Sequence, residues 1–166
     1  MPDLDDKIHT LHRYFIWANR LRQQYDHTIN TEGPLPETDV RAVRQSTLVR
    51  FFQLSYWLAA LYVVIEGWQQ LGLKSQRVDE LLDREHVDLL KGYRNCVYHF
   101  QPDYLAERVK KFLKADDPVE WASSVHDQFS RFFLEWLMSH GLIPRVHITD
   151  DGGVLPADDA QSHDDV

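Results

Sequence analysis

The run Leu54-Ser55-Tyr56-Trp57-Leu58-Ala59-Ala60-Leu61-Tyr62-Val63-Val64-Ile65, LSYWLAALYVVI, is the richest apolar stretch in the chain. It is shorter than the roughly 20 residues a bilayer crossing needs, it contains Ser55, and Glu66 follows it. It therefore reads as a buried helix around which a domain packs; a helix–helix seam between two copies is the other reading. The apolar-rich segment reaches from about Thr38 to Leu71, where Gly72 is placed to end it.

The flanking segments repeat the helical pattern. Upstream, Leu4, Ile8, Leu11, Tyr14, Phe15, Ala18, Leu21 and Tyr25 recur at helical spacing, which predicts a helix from about Leu4 to Ile29. TEGPLPE (Thr31 to Glu37) breaks the pattern with one glycine and two prolines. Downstream, Ser75 can cap a short helix containing Val78, Leu81 and Leu82, and HVDLLKGYRNCVYHF resumes helical periodicity as far as Pro102. Pro102 is expected to open a further helical piece, PDYLAERVKKFLK. Asp117-Pro118-Val119-Glu120 then offers a cap, a proline at the first helical position and a glutamate three residues on. The last helix should run to about His140, stopped by Gly141 and Pro144.

No run shows sustained alternation of apolar and polar residues, so essentially no sheet is expected. The predicted fold is all-α, an up-and-down bundle of five to six helices spanning residues 1–145. Residues 146–166 are rich in glycine and aspartate with few large apolar groups. Such a segment cannot offset its ordering entropy and reads as a flexible acidic tail.

With 166 residues and 43% hydrophobic content, one ordinary domain with a sizeable core is the expectation. The single cysteine, Cys96, excludes an internal disulfide framework and a multi-cysteine zinc site. The acidic start MPDLDDK lacks the basic-then-apolar order of a secretory signal, so the expected compartment is the cytoplasm, with no membrane partner.

Net charge is −8. Nine of the 26 acids lie at the two ends: Asp3, Asp5, Asp6, Asp150, Asp151, Asp158, Asp159, Asp164 and Asp165. That leaves 17 acids against all 18 basic residues between Lys7 and Arg145, about +1. The body is neutral, and local patches decide whether it meets RNA.

One such patch is KGYRNCVYHF, Lys91 to Phe100. At about 100° per residue, Leu89, Leu90, Tyr93, Cys96, Val97 and Phe100 fall on one side, the side that packs. Arg94, Tyr98, Lys91, Asn95 and His99 fall on the other, with Arg94 and His99 roughly 140° apart at its edges. Asn95 and His99, at i and i+4, can contact one another, so the amide can orient the imidazole. A guanidinium that clamps phosphate oxygens and an imidazole that exchanges a proton near neutral pH are the parts needed for phosphodiester cleavage.

Arg94-Asn95-x-x-x-His99 resembles the R-x4-6-H motif of the HEPN superfamily, small α-helical proteins in which a polar residue often follows the arginine. LYVVIEGW (Leu61 to Trp68), at the end of the central helix, resembles the superfamily's upstream polar helix position. The helix order matches from about Leu11 to Leu137, although only six residues carry a sharp motif.

The resemblance implies a metal-independent endoribonuclease without a cofactor. Two protomers would pack their motif helices together, and a composite cleft would cut RNA with the 2′-hydroxyl as internal nucleophile. In that reading His99 is the general acid and base, Arg94 stabilises charge on the scissile phosphate, and Asn95 orients the histidine or the RNA. Glu66 and Tyr98 are supporting groups, and Arg108, Lys110, Lys111 and Lys114 supply phosphate contacts. Members of the superfamily serve in toxin–antitoxin and phage-defence systems, which makes an antitoxin or other protein a possible partner; others have lost catalysis.

Plainer readings stand beside these. Arg94 in a salt bridge to a nearby carboxylate would make the motif an ordinary solvated face. Glu66 in an apolar segment needs a partner, and a structural arginine would serve. The Arg108 to Lys114 cluster reads equally as a wet helix face. His9 and His12, and Asp83-x-x-His86, lack the companion ligands of di-metal bundles, so no metal is expected. Trp57, Trp68, Trp121 and Trp136 read as core. No GxxxxGK loop and no Gly-x-Ser-x-Gly elbow is present, which disfavours nucleotide hydrolysis and serine-hydrolase chemistry. The alternative function is a non-catalytic interaction or nucleotide-binding module on the same helical fold.

Overall fold

The computed structural model describes residues 3–32, 39–143, 146–148 and 154–156. Six helices are present among them: α1 (Leu4–Glu32), α2 (Val40–Leu71), α3 (Gln76–Asp79), α4 (Arg84–Tyr98), α5 (Glu107–Leu113) and α6 (Pro118–Ser139). The fold class is all-α. The chain divides into two compact units, Met1–Phe129 and Ser130–Val166.

In the first unit, α2 is the central element, and its ends follow the local chemistry read from the sequence. Asp39, in extended backbone, accepts from the backbone N–H groups of Arg41 and Ala42, satisfying donors the first turn leaves orphaned. At the other end Gly72 takes the left-handed conformation, φ 63°, and its N–H bonds back to Gln69. Among the described residues α2 is the one helix long and apolar enough to cross a bilayer by length and composition. Within this unit that apolar stretch forms the core, with Trp57, Leu58, Leu61, Val64 and Ile65 fully buried.

α1 runs antiparallel to α2: Leu11 lies over Gly67, while Tyr25 stacks on Trp57 with ring centroids 5.7 Å apart. A Cβ at position 67 would come within 2.5 Å of Leu11 Cδ1, so a larger residue there would require the Leu11 side chain to move. α4 is also antiparallel to α2, since Ser55 bonds Tyr93 whereas Tyr62, about two turns further on, lies near Asp88. α5 packs on α4 through Phe112 and Tyr93, 5.1 Å apart.

The first half of α6 closes the unit. Trp121 donates its indole N–H to the Leu81 carbonyl at 2.8 Å and stacks on His86, and Arg22 of α1 pairs with Asp127. Buried His126 lies between Trp57 and Asn19.

The second unit holds the rest of α6 and a short antiparallel pair, β1 (Val146–Ile148) and β2 (Val154–Pro156), registered Val146 to Pro156. The sequence reading expected essentially no sheet; three residues per strand are too few to show a period-2 pattern. The expected flexibility of the acidic tail falls mainly on residues 149–153 and 157–166, outside the described residues.

Two boundaries differ from expectation. Pro102 does not open a helix: residues 101–106 form bends and turns, and α5 starts at Glu107. Helix begins where burial begins, at Val109 and Phe112, whereas Tyr104 and Leu105 are exposed and gain nothing from a helical register. Phe100, expected on the packing side, is 93% exposed. α4 ends at Tyr98 and His99 adopts extended backbone (φ −123°, ψ 135°), so the helical phase no longer governs residue 100.

Candidate functional site

α4 begins on an Asp83 cap that accepts from the His86 N–H. It buries Val87, Leu90 and Tyr93 and leaves Lys91 and Tyr98 towards solvent, as the amphipathic reading of this helix requires. Leu89, Cys96 and Val97 are half-buried.

Arg94 and Asn95 are half-buried on the polar side. Arg94 Nη1 donates to Asn95 Oδ1 at 3.1 Å, and its guanidinium carbon stands 5.5 Å from the Tyr98 ring centroid. Arg94 Nε is buried without a hydrogen-bond partner. Among the described residues no ion pair engages Arg94, so the ordinary salt bridge weighed above is not what holds it. The guanidinium therefore carries a positive charge that no carboxylate pairs among the described residues.

His99 is the C-terminal cap of α4. Its backbone N–H donates to the Asn95 carbonyl at 3.1 Å, and its own carbonyl accepts from Gln101 Nε2 at 3.0 Å. The Asn95 amide therefore meets the motif arginine through its side chain and the motif histidine through its backbone. The expected side-chain contact with the imidazole is not the one formed.

His99 lines a half-open cavity of about 780 Å³ between α2, α4 and the 101–106 turn. Arg94 and Asn95 do not line it. Tyr98 links the two regions: one ring carries the Arg94 cation and meets Tyr56 across the cavity wall, centroids 6.3 Å apart and nearly perpendicular. The floor is closed by hydroxyls. Ser55 Oγ donates to the Phe51 carbonyl at 2.7 Å, so the Tyr93 hydroxyl donates to Ser55 Oγ, also at 2.7 Å. Burial pushes the Tyr93 phenol up, so it keeps that proton.

Glu66 lies elsewhere, lining a smaller cavity of about 390 Å³ with Lys7, Tyr14 and Gln70 on the α1 side of α2. Glu66 and Arg94 both stand near Tyr62 and bear on it in opposite directions. That buried phenol is raised first by desolvation and then by Glu66, while Arg94 opposes them. Of the downstream cations, Lys110 is bonded to Glu107 at 2.7 Å. Arg108 crosses α4 at Gly92, its aliphatic stem about 3.7 Å from where a Cβ would stand. Lys111 and Lys114 are exposed.

The sequence reading named neither the aromatic wall, Phe52 and Tyr56 from α2 with Tyr104 from the turn, nor Gln101. The i, i+4 pair Phe52 and Tyr56 beside the buried stripe of α2 was the available signal. Among the described residues no cluster of three histidine, cysteine or acidic side chains converges to hold a metal ion. Comparison with protein-family models, curated protein sequences and solved structures gives no match to this chain.

Proposed function

We propose that the protein is a HEPN-like endoribonuclease that cuts RNA without a metal, using Arg94 and His99. One observation carries the reading: a half-buried arginine uncommitted to any carboxylate, with an unsatisfied Nε, stands one turn before a histidine on the rim of a large cavity.

In this mechanism the ribose 2′-oxygen bonds to phosphorus as the P–O5′ bond breaks. His99 takes the 2′-hydroxyl proton or delivers one to the departing 5′-oxygen. Arg94 meets the charge that grows on the phosphoryl oxygens, and Asn95 holds the guanidinium in place through Nη1. A 2′,3′-cyclic phosphate and a 5′-hydroxyl result. Tyr98 seats the Arg94 cation, whereas Glu66, which lines a separate cavity, takes no part in the chemistry of this mechanism. Arg108, Lys111 and Lys114 offer RNA-phosphate contacts away from the chemistry.

Because the cavity is lined by His99 and not by Arg94, one protomer does not bring the pair onto one wall. A homodimer in the cytoplasm, each copy completing the other's cleft, answers that geometry. A toxin or phage-defence setting follows from the superfamily resemblance.

The test is labelled RNA incubated with the protein in EDTA. Cleavage that disappears in His99→Ala and Arg94→Ala supports the assignment; cleavage that persists in both removes these residues from the mechanism.

A second reading, a non-catalytic module that holds a protein such as an antitoxin, is favoured by the exposure of Phe100 and Tyr104 beside the same cavity. Absence of cleavage together with a stable co-purifying protein would select it.

A further inference from the structure

The cavity beside His99 is concave and has a particular wall. Phe52 is 58% exposed, Tyr98 49% and Tyr104 88%, yet all three line one space of about 780 Å³, within the range of small-ligand sites. Phe52 and Tyr56 pack at 4.4 Å, and Tyr56 meets Tyr98, so the rings form a continuous ladder from the cavity to the Arg94 guanidinium.

The polar groups are as informative. The floor hydroxyls of Ser55 and Tyr93 are spent on one another, so recognition falls to the mouth, where Gln101 and Asp103 stand. Gln101 commits one amide N–H to the His99 carbonyl, which leaves its oxygen as an acceptor and its second N–H as a donor. The Asp103 carboxylate accepts only. A planar apolar ligand whose edge carries an N–H donor beside an acceptor, attached to an anion, matches this order of aromatic wall, polar mouth and adjoining cation.

We propose that the cavity is a nucleobase subsite, which seats the unpaired base next to the scissile phosphate between the Phe52, Tyr56 and Tyr104 rings. Asp103 and Gln101 read a base edge that carries an amino group. RNA as the ligand is taken from the ribonuclease reading; the subsite adds that the substrate is single-stranded at the cut and that uracil, without an amino group, is the disfavoured base.

The test uses fluorescence anisotropy of the full chain with a fluorescein-labelled short single-stranded RNA, and with the same strand made abasic. The intact strand should bind about tenfold or more tightly than the abasic one. Phe52→Ala and Tyr104→Ala, both at exposed positions that folding tolerates, should each lose roughly that factor on intact RNA and leave abasic binding unchanged. Asp103→Asn should narrow the gap between cytidine-rich and uridine-rich strands.

Equal affinity of the wild type for intact and abasic strands overturns the subsite. So does a wild-type dimer in sedimentation that Phe52→Ala and Tyr104→Ala both dissociate, because a second copy then fills the cavity. Cleavage of the same strands is followed in parallel. Base-dependent binding without cleavage sinks the nuclease reading and upholds the subsite; cleavage indifferent to the bases and to both variants does the reverse.

Discussion

Replacing His126 by glutamine should flatten the acid side of the protein's stability profile. His126 is 1% exposed, in the middle of the first unit. Trp57 Nε1 can only donate, so the 3.3 Å contact makes His126 Nδ1 the acceptor and puts the ring proton on Nε2, which donates to Asn19 Oδ1 at 3.2 Å. A second proton would turn Nδ1 towards another donor. Burial, and then the nearby Arg22 cation, lower its pKa from 6.5 to about 3.

Because the folded value lies below the unfolded one, the unfolded chain binds more protons between those limits. The stability held by the neutral ring is complete above about pH 6.5 and is lost as pH falls towards 3. Each pH unit in that window is worth about 1.4 kcal/mol, so pH 5 removes roughly 2 kcal/mol. That is a large share of a typical stability of about 5–15 kcal/mol. Urea denaturation of wild type and His126→Gln at pH 7, 6 and 5 provides the measurement. The variant should be less stable at pH 7, through its imperfect replacement of two hydrogen bonds, but should lose roughly 2 kcal/mol less than wild type on going to pH 5. Parallel pH profiles for the two proteins would refute the reasoning, since carboxylates and the other histidines titrate alike in both.

Three further outcomes are expected. Arg94→Lys keeps the charge but loses the guanidinium fork, so RNA cleavage should drop roughly 100-fold or more, whereas a wild-type rate would remove the fork from the mechanism. Phe112→Ala opens a cavity behind Tyr93 in a fully buried position and should lower stability by about 3–5 kcal/mol in chemical denaturation; a loss under about 1 kcal/mol would show that α5 contributes little to the core. Asp39→Ala removes the acceptor for two N–H groups at the start of α2 and should cost about 0.5–2 kcal/mol in a thermal or urea melt, with no change there meaning that the cap is inessential.

The helices were legible because their signals are local. Gly72 ends α2 for a reason contained in the residue itself, and the unbroken run from Trp57 to Ile65 has no other way to escape water. The turn after α4 was not legible. Pro102 was read as a helix opener because prolines favour that position, but residues 103–105 are exposed, and a helix of this length forms only where packing supports it. The cavity belongs to the same class of property. Its wall joins Phe52 and Tyr56 to Tyr104, about fifty positions apart in the chain, and only the antiparallel packing of α2 and α4 brings them together.

The motif itself shows how far spacing reaches. Arg94 and Tyr98 keep their helical relation, and the cation over the ring is what i and i+4 dictate. His99 follows another rule. Once its backbone turns to extended geometry, the 140° separation inferred from the helical wheel no longer applies. Its direction is then fixed by two backbone bonds, one to Asn95 and one from Gln101. The arginine is thus placed by a rigid helix and the histidine by the way that helix ends, so a change in the 101–106 turn can move one without the other. That separation makes the turn, which also helps to wall the cavity, the element that sets where His99 stands along the cavity lining.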